Sequence, residues 1–268
     1  MRWRISKLLR IMAVVSALIV GLVSLLGGTA LAITNGQPDG DSHPYVCVVV
    51  MFDESGNFIG SASGILISPT VVLTAGHVTE EGPHAFVTFA SEITPGDLSG
   101  YIYGVPYTHP EYQLGARPGL PNFLTHDVGV IELNTPVIMA EYGALPEEGV
   151  VDSLAAKTDL DLVGYGYNYR ERPSQNWIFY GARYYALSKL IPSKHKISDE
   201  FIKITANPAQ GKGGTSFGDS GGPVLLGGTN VVLGLTSFVT NYNCAGVGYA
   251  ARVDTADVLE WVNDWLLP

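Results

Sequence analysis

Short apolar runs, each bounded by Gly, Pro, Asn or Asp, recur along the chain from residue 45 onwards. They are rich in β-branched and aromatic side chains, a pattern typical of strands in an antiparallel barrel or sandwich. The predicted strands are 45–51, 64–67, 71–74, 85–90, 101–107, 128–133, 160–163, 177–187, 201–206, 223–226, 231–239 and 247–253. We find no sequence repeat behind this regular spacing.

The last residues follow a helical pattern instead. Apolar side chains at 258, 259, 261, 262, 265 and 266 fall on one face of a helix, which indicates a terminal helix packed on the core. Asp254 or Thr255 can cap it. Residues 141–151 contain few strand-forming residues and are the best candidate for a linker. The chain is long enough for one large all-β domain or two small ones.

The N-terminus has the composition of a secretory signal peptide. Four basic residues lie in the first ten, an apolar run covers 11–26, and the segment ends Ala-Leu-Ala at Ala32. We predict that 1–32 is a signal peptide and that the mature protein is secreted, without stable membrane association. The alternative is an uncleaved anchor, since the apolar run nearly reaches the length that spans a membrane.

The charge of the chain excludes some partners. The chain has 15 Lys and Arg residues, four of them before residue 33, against 25 Asp and Glu, which leaves a formal charge of −14 for the mature part. This acidity argues against nucleic acid or an anionic membrane as the partner. The six histidines are scattered and the two cysteines do not have zinc-site spacing. We therefore predict no metal site and no cofactor.

A candidate nucleophile lies at Ser220, where residues 218–223 read Gly-Asp-Ser-Gly-Gly-Pro. Serine needs a base and a group that orients the base. His77 closely follows the apolar strand 71–74, as the last residue of the sequence Thr-Ala-Gly-His at 74–77. Asp127 directly precedes the apolar strand 128–133. An imidazole accepts a proton near neutral pH, and a buried carboxylate can hold its tautomer.

The same serine stretch also fits Gly-x-Ser-x-Gly, the nucleophile elbow of lipases and esterases. That arrangement requires the chain order Ser, acid, His. The last histidine is His195, so none follows Ser220. The order His, Asp, Ser is the one found in the chymotrypsin arrangement.

With these motifs, residues 33–268 resemble a trypsin/chymotrypsin-type serine endopeptidase. Residues 74–77 resemble the family's histidine motif, 126–128 its aspartate motif, and 218–223 match its serine motif in full. Weaker similarities are the His-Pro-Glu-Tyr at 109–112 and the Gly-Tyr-Gly at 164–166, where the family has Gly-Trp-Gly.

The resemblance implies an all-β, chymotrypsin-like fold of two antiparallel Greek-key β-barrels with a C-terminal α-helix. The first barrel would cover 33–145 and carry His77 and Asp127. The second would cover 146–268, carry Ser220 and end in the helix 255–267. Ser220 would be the nucleophile, His77 the general base and acid, and Asp127 the orienting acid. The backbone amides of Gly218 and Ser220 would form the oxyanion hole.

Substrate selection and activation are also implied by the resemblance. The substrate pocket would involve the residues Gly214, Thr215, Ser237, Phe238 and Val239. Trypsin-like members have an acid where Gly214 stands, and many relatives have glycine where Val239 stands. These differences indicate a preference for small or medium uncharged residues rather than Lys or Arg.

Ile33 resembles the new N-terminus that inserts in many members and pairs with the acid before the nucleophile, here Asp219. Because Ile33 directly follows the signal site, signal cleavage alone is expected to produce the active form. Cys244 falls where the family has half of a disulfide, but the partner position is Ser216. We therefore predict that Cys47 and Cys244 are free, buried thiols.

The leading hypothesis is a secreted, monomeric serine endopeptidase that acts on proteins or peptides. A second hypothesis is a catalytically silent relative that binds a partner through the same fold, because fold does not guarantee function. A third is a membrane-tethered protease, which depends on whether 1–32 is removed. Silent relatives generally lose a triad residue, and this chain keeps all three.

Overall fold

The computed structural model describes residues 33–34, 36–114, 124–170, 174, 176–192, 200–207 and 211–267. Within these ranges the chain is mostly strand, with three short helices. The predicted signal peptide at 1–32 lies outside the described residues. None of the helices in the described ranges is both long and apolar enough to cross a membrane.

The first half of the chain contributes nine strands and one helical turn. In chain order they are β1 (Gln37–Pro38), β2 (Val46–Phe52), β3 (Phe58–Ser68), β4 (Val71–Thr74), α1 (Gly76–Thr79), β5 (His84–Thr88), β6 (Ile102–Thr108), β7 (Gln113–Leu114), β8 (Leu124–Thr125) and β9 (Gly129–Leu133).

The second half contributes eight strands and two helices. In chain order they are α2 (Val150–Ser153), β10 (Asp159–Gly164), β11 (Tyr169–Arg170), β12 (Trp177–Ile178), β13 (Tyr184–Ile191), β14 (Phe201–Ala206), β15 (Pro223–Leu226), β16 (Val232–Val239), β17 (Gly246–Arg252) and α3 (Ala256–Asp264).

Six antiparallel strands close the first barrel in the order β2-β3-β4-β9-β6-β5. β2 is buried along almost its whole length, which explains its continuous apolar sequence. The short strand β4 pairs with both β3 and β9, so its end at Thr74 lies next to Gly129 at the start of β9. This pairing brings the segments that contain His77 and Asp127 together.

The second barrel is closed by the order β13-β10-β15-β16-β17-β14, with β14 returning to β13. β1 adds to the outer edge of β13. β13 alternates between buried and more exposed positions, as expected for a strand with one face on a core. Two closed antiparallel barrels and a terminal helix confirm the predicted chymotrypsin-like fold class.

The run 177–187, predicted as one strand, is divided in the structure. β12 ends at Ile178 and β13 begins at Tyr184. Gly181 lies between them with φ +67°, a left-handed conformation that interrupts an extended strand. The Gly181 carbonyl accepts a hydrogen bond from the Ile93 amide at 2.6 Å. The break therefore connects this segment to the first barrel.

The terminal helix begins without the side-chain cap that its sequence indicates. Thr255 occupies the cap position, but its side chain makes no capping hydrogen bond. Asp254 is bound instead by Arg252 at 2.8 Å, and it accepts the Val151 amide at 2.8 Å. Because Asp254 is paired with Arg252, its carboxylate is not available to cap the helix.

One buried arginine joins the two barrels. Arg183, just before β13, is 1% exposed, and its Nε donates to Asp39 Oδ2 at 2.7 Å. Its other nitrogens donate to four groups on both sides of the barrel junction: the carbonyls of Gly40, Val46 and Phe89, and the Tyr165 hydroxyl. Because its charge is paired and its donors are satisfied, this guanidinium can be buried.

Candidate active site

His77, which is partly exposed, pairs with the buried Asp127 at the edge of the first barrel. His77 Nδ1 lies 2.9 Å from Asp127 Oδ2, and the His77 backbone amide donates to Oδ1 at 2.8 Å. Asp127 is fully buried. A third contact comes from the second barrel, where the Ser237 hydroxyl donates to Oδ2 at 2.5 Å. These bonds fix the imidazole with Nδ1 toward the carboxylate.

The surroundings of His77 favour its protonated form. Burial lowers the pKa of His77, but the hydrogen bond from Nδ1 and the charge of Asp127 oppose it. The nearby carboxylates of Glu81 and Glu80 act in the same direction, and the net pKa is raised above the ordinary value of 6.5. The imidazole can therefore take up a proton and hold it as an imidazolium beside Asp127.

The loop that carries Ser220 packs against the strand end that precedes His77. The Ser220 carbonyl accepts the Ser63 amide at 2.8 Å. Gly221 has φ +75°, and a side chain there would overlap Thr74 and Ala75. Its amide donates to Thr236 at 2.8 Å. Only glycine allows this approach, which brings Ser220 next to the segment that ends in His77.

Two amides of the serine loop point to no acceptor within the described ranges. Neither the Gly218 nor the Ser220 backbone N–H makes a backbone hydrogen bond. Gly218 has φ +90°, which a side chain would strain. Ser220 Oγ likewise makes no hydrogen bond to His77 in the part of the chain that is described. The hydroxyl and both amides are therefore available to a bound group.

Asp219 is the second fully buried carboxylate of this region. Its Oδ1 accepts the Gly166 amide at 2.8 Å, and its Oδ2 accepts the Ser216 amide at 2.8 Å. Burial raises the pKa of Asp219 to about 7, although these hydrogen bonds oppose the rise. No cationic side chain pairs with it among the described residues.

Ile33 is fully buried and belongs to the core of the second barrel, together with Leu160 and Leu162. Thr34 forms an isolated antiparallel bridge with Gly214, and the Gly214 amide donates to the Thr34 carbonyl at 3.0 Å. Ile33 has φ +47°, an unusual value for a β-branched residue. The structure describes no hydrogen bond between Ile33 and Asp219.

This geometry agrees with a comparison against family sequence models, in which the trypsin model matches residues 34–262. The chain belongs to the trypsin family. The family consists of serine endopeptidases, whose substrates are proteins and peptides. Two solved structures similar to the trypsin-family chain are a protein described as HL collagenase and one described as GrC.

Both structural similarities cover most of the molecule at low sequence identity. HL collagenase is 17% identical with a TM-score of 0.65, covering 85% of this chain and 95% of that one. GrC is also 17% identical, with a TM-score of 0.67, covering 86% of this chain and 98% of that one. No curated protein matches the chain significantly. At this identity the two structures support the fold alone.

The residues predicted for the substrate pocket of this trypsin-family chain have different environments. Thr215 is 1% exposed, and its hydroxyl has no hydrogen-bond partner among the described residues. Phe238 stacks on Tyr249 at 4.7 Å between ring centroids. Val239 pairs with Gly248 across β16 and β17. Ser237 is hydrogen-bonded to Asp127, so its hydroxyl is engaged by the His77–Asp127 pair.

Sequence reasoning noted the Gly-Tyr-Gly at 164–166 but missed its contacts. A Cβ on Gly166 would lie 2.6 Å from the Asp219 carboxyl carbon, and a Cβ on Gly164 would also overlap this carboxylate. Both glycines are needed because the buried Asp219 packs directly on this backbone. The Tyr165 hydroxyl donates to the Ala90 carbonyl at 2.8 Å. The two glycines on either side of an aromatic residue are the sequence feature that could have indicated this close packing.

Cys47 and Cys244 are free and buried, as predicted. Burial raises the pKa of the Cys244 thiol to about 11, so this thiol is protonated and unreactive near neutral pH. Among the described residues, the one group of side chains that could hold a metal ion is Glu111, His126 and Asp257. This group does not include His77, Asp127 or Ser220.

Proposed function

We propose that the chain is a secreted serine endopeptidase that cleaves peptide bonds through Ser220, His77 and Asp127. The observation that carries this proposal is the buried Asp127, which engages both Nδ1 and the backbone amide of His77. With Nδ1 occupied, Nε2 is the nitrogen left to accept a proton. The packing of Gly221 on Thr74 and Ala75 supports Ser220 as the source of that proton.

The proposed reaction follows the mechanism described for the Ser-His-Asp triad of this family. Ser220 Oγ attacks the peptide carbonyl carbon while its proton passes to His77 Nε2. Asp127 stabilises the resulting imidazolium, and His77 then gives the proton to the leaving amine. Water hydrolyses the acyl-enzyme by the same proton transfers. Nucleophile–base hydrogen bonds are often long before substrate binds, so the free Ser220 hydroxyl is compatible with this role.

The amides of Gly218 and Ser220 are proposed to bind the oxyanion of the tetrahedral intermediate. Support comes from their lack of any backbone acceptor in the described ranges. Preorganised donors of this kind stabilise developing charge without reorganisation. The left-handed Gly218 conformation orients the first of these amides.

Activation is proposed to follow from cleavage after Ala32, which would give Ile33 a free ammonium group. Its expected partner is Asp219, whose pKa of about 7 results from burial without a cation. An ammonium beside this carboxylate would favour its ionised form and lower that pKa. The burial of Ile33 and the Thr34–Gly214 bridge support docking of the new N-terminus in the second barrel.

The proposed specificity is for small or medium uncharged side chains next to the scissile bond. Gly214 provides no carboxylate to pair with Lys or Arg, and its backbone is engaged with Thr34. Thr215 adds one buried hydroxyl without a partner among the described residues, and Val239 adds a branched side chain. The proposed specificity is tested by measuring cleavage rates of peptides that differ only in the residue next to the scissile bond. A preference for Arg or Lys at that residue would contradict the proposal.

The experiment that tests the proposed function is labelling with a fluorophosphonate probe, followed by mass spectrometry of the secreted protein. We expect one labelled site, Ser220, in a chain that begins at Ile33, and no labelling of Ser220→Ala. An unlabelled chain that begins at Ile33 would indicate a silent binding protein. An unlabelled chain with a different N-terminus would contradict activation by signal cleavage alone.

A further inference from the structure

Three parts of the fold bring side chains that can bind a metal ion close together. Glu111 follows β6, His126 precedes β9, and Asp257 lies in the first turn of α3. His126 Nε2 is 2.7 Å from Asp257 Oδ2 and 3.5 Å from Glu111 Oε2. One ligand atom from each residue lies within 4.8 Å of the other two.

The His126 ring is held in place by packing. Its side chain is 9% exposed, and it stacks on His109 with ring centroids 5.0 Å apart and planes 14° apart. This stacking directs Nε2 toward the two carboxylates. His126 Nδ1 is buried and has no hydrogen-bond partner among the described residues. Nε2 donates its proton to Asp257 Oδ2. A metal on Nε2 therefore requires this proton to leave, and the unpartnered Nδ1 can take it up.

A cavity beside this cluster provides room for further ligands. It has a volume of about 240 Å³ and is lined by His126, Asp257, Glu200 and Arg252, among others. The Arg252 guanidinium is bound by Asp152 and Asp254. Its charge is thus paired, while Glu111 and Asp257 leave the cluster acidic around the imidazole. A cavity of this size can hold several water molecules.

We propose that Glu111, His126 and Asp257 form a binding site for a divalent transition metal ion of the zinc class. His126 Nε2, Asp257 Oδ2 and Glu111 Oε2 are the three protein ligands, and water completes the coordination. Zn²⁺ commonly takes three nitrogen and oxygen ligands at about 2.0–2.2 Å with a solvent position left open. The imidazole disfavours Ca²⁺ and Mg²⁺, which prefer oxygen ligands alone.

The distances suit this coordination with a small adjustment. Ligand atoms of a tetrahedral zinc site lie roughly 3.3 Å apart, given bonds of about 2.0 Å. The separation of His126 Nε2 from Glu111 Oε2 is 3.5 Å. The contact between Nε2 and Asp257 Oδ2 must open from 2.7 Å, because a hydrogen bond is replaced by two bonds to the metal. The proton on Nε2 moves to Nδ1 or to solvent.

The ligands of this site are far apart along the chain, which explains why the sequence alone predicts no metal site. His126 and Asp257 are 131 positions apart, and no local spacing indicates that they meet. Bound metal would connect α3 to the segment between β6 and β7 and to the segment between β8 and β9 in the first half of the chain. Metal that binds only the native state stabilises it, so the site would strengthen the attachment of the terminal helix.

Metal binding is tested on the Ser220→Ala chain, which removes self-digestion and does not depend on the proposed activity. Titration with Zn²⁺ in a calorimeter and with Co²⁺ in a spectrophotometer measures affinity, stoichiometry and coordination. We expect one saturable site, a visible Co²⁺ band that Zn²⁺ abolishes, and a higher melting temperature with Zn²⁺. His126→Asn should weaken binding at least tenfold, and Asn tolerates the local φ of +48°.

One control variant and a second ligand variant complete the test. His84→Asn removes a histidine that is hydrogen-bonded to Tyr103 in the first barrel, and it should leave the affinity unchanged. Glu111→Gln changes an exposed side chain with little risk to folding, and it should weaken binding together with His126→Asn. Absence of saturable Zn²⁺ binding, or equal affinity in wild-type and His126→Asn chains, would overturn the proposal.

Discussion

Asp127 and Asp219 are both fully buried carboxylates, but their partners differ in kind. Asp127 faces an imidazole that can become charged, and the pair raises the pKa of His77. Asp219 faces only neutral donors from Gly166 and Ser216, and burial raises its own pKa to about 7. Burial without a cationic partner thus raises the pKa of Asp219, whereas the buried Asp127 acts on the imidazole beside it.

The largest expected effect comes from removing the charge of Asp127. Asp127→Asn keeps the side-chain shape, but its amide can favour the wrong imidazole tautomer. We expect kcat to fall by about 10⁴-fold, the magnitude known for this substitution in this family's triad. Steady-state kinetics on a chromogenic peptide measure it. Asp161→Asn, another buried carboxylate that accepts the Gly228 amide, is the matched control and should retain activity.

Asp219→Asn should have the second-largest effect, in the chain cleaved at Ile33. The variant cannot pair with an ammonium group, and its amide cannot accept from both Gly166 and Ser216. Removing one partner of a buried pair costs about 3–5 kcal/mol, so we expect activity to fall by roughly 100-fold or more. Kinetics are combined with N-terminal sequencing to confirm cleavage. Full activity with a correct N-terminus would contradict the proposed pair.

The pH dependence of stability tests the same carboxylate in the chain that retains residues 1–32. The native pKa of Asp219 is about 7, above the ordinary 3.8. The native state therefore keeps a proton that the unfolded chain has released, and stability falls as pH rises through this window. The slope from Asp219 is at most about 1.4 kcal/mol per pH unit. The raised pKa of His77 acts in the same direction near its own titration.

Urea unfolding of Ser220→Ala with and without Asp219→Asn, between about pH 4.5 and 7.5, isolates the Asp219 contribution. The double variant should lose less stability as the pH rises, because only the other groups still titrate. Parallel stability profiles for the two chains would show that Asp219 has an ordinary pKa in the native state.

The smallest expected effect concerns the exposed carboxylates near His77. Glu81 raises the pKa of His77 through its charge, but solvent screens such interactions. Glu81→Gln should lower the midpoint of the kcat/KM profile by a few tenths of a pH unit. Glu54→Gln, in the hairpin between β2 and β3, is the control and should not shift it. An unchanged midpoint in Glu81→Gln would show that the charge of Glu81 does not contribute to the basicity of His77.

The sequence predicted the fold class and three strands to the residue, β4, β14 and β15, because each is a short apolar run between turn residues. It also selected His77, Asp127 and Ser220 as the site to be tested. Long-range contacts were not accessible in this way. The assignment of Ser237 to the predicted pocket stays a prediction, and the sequence does not indicate that its hydroxyl binds Asp127, 110 positions away.

The pairing of Arg183 with Asp39 was missed for a related reason. The two residues are 144 positions apart, and charged residues are rarely fully buried. Local patterns of apolar and polar residues assign such side chains to the surface. Only the packing of the two barrels against each other creates a site where one guanidinium meets acceptors from both, the Val46 carbonyl of the first and the Tyr165 hydroxyl of the second.

The Arg183 contacts also have a mechanical consequence. A hinge needs a boundary that can open without leaving buried charge unpaired. This boundary contains a buried ion pair, and the same guanidinium binds the Val46 and Phe89 carbonyls of the first barrel. Separating the barrels would expose that charge to solvent or leave it buried without a partner, at a cost of several kcal/mol. The molecule should therefore admit substrates by movement of its surface loops, with the two barrels behaving as one rigid body.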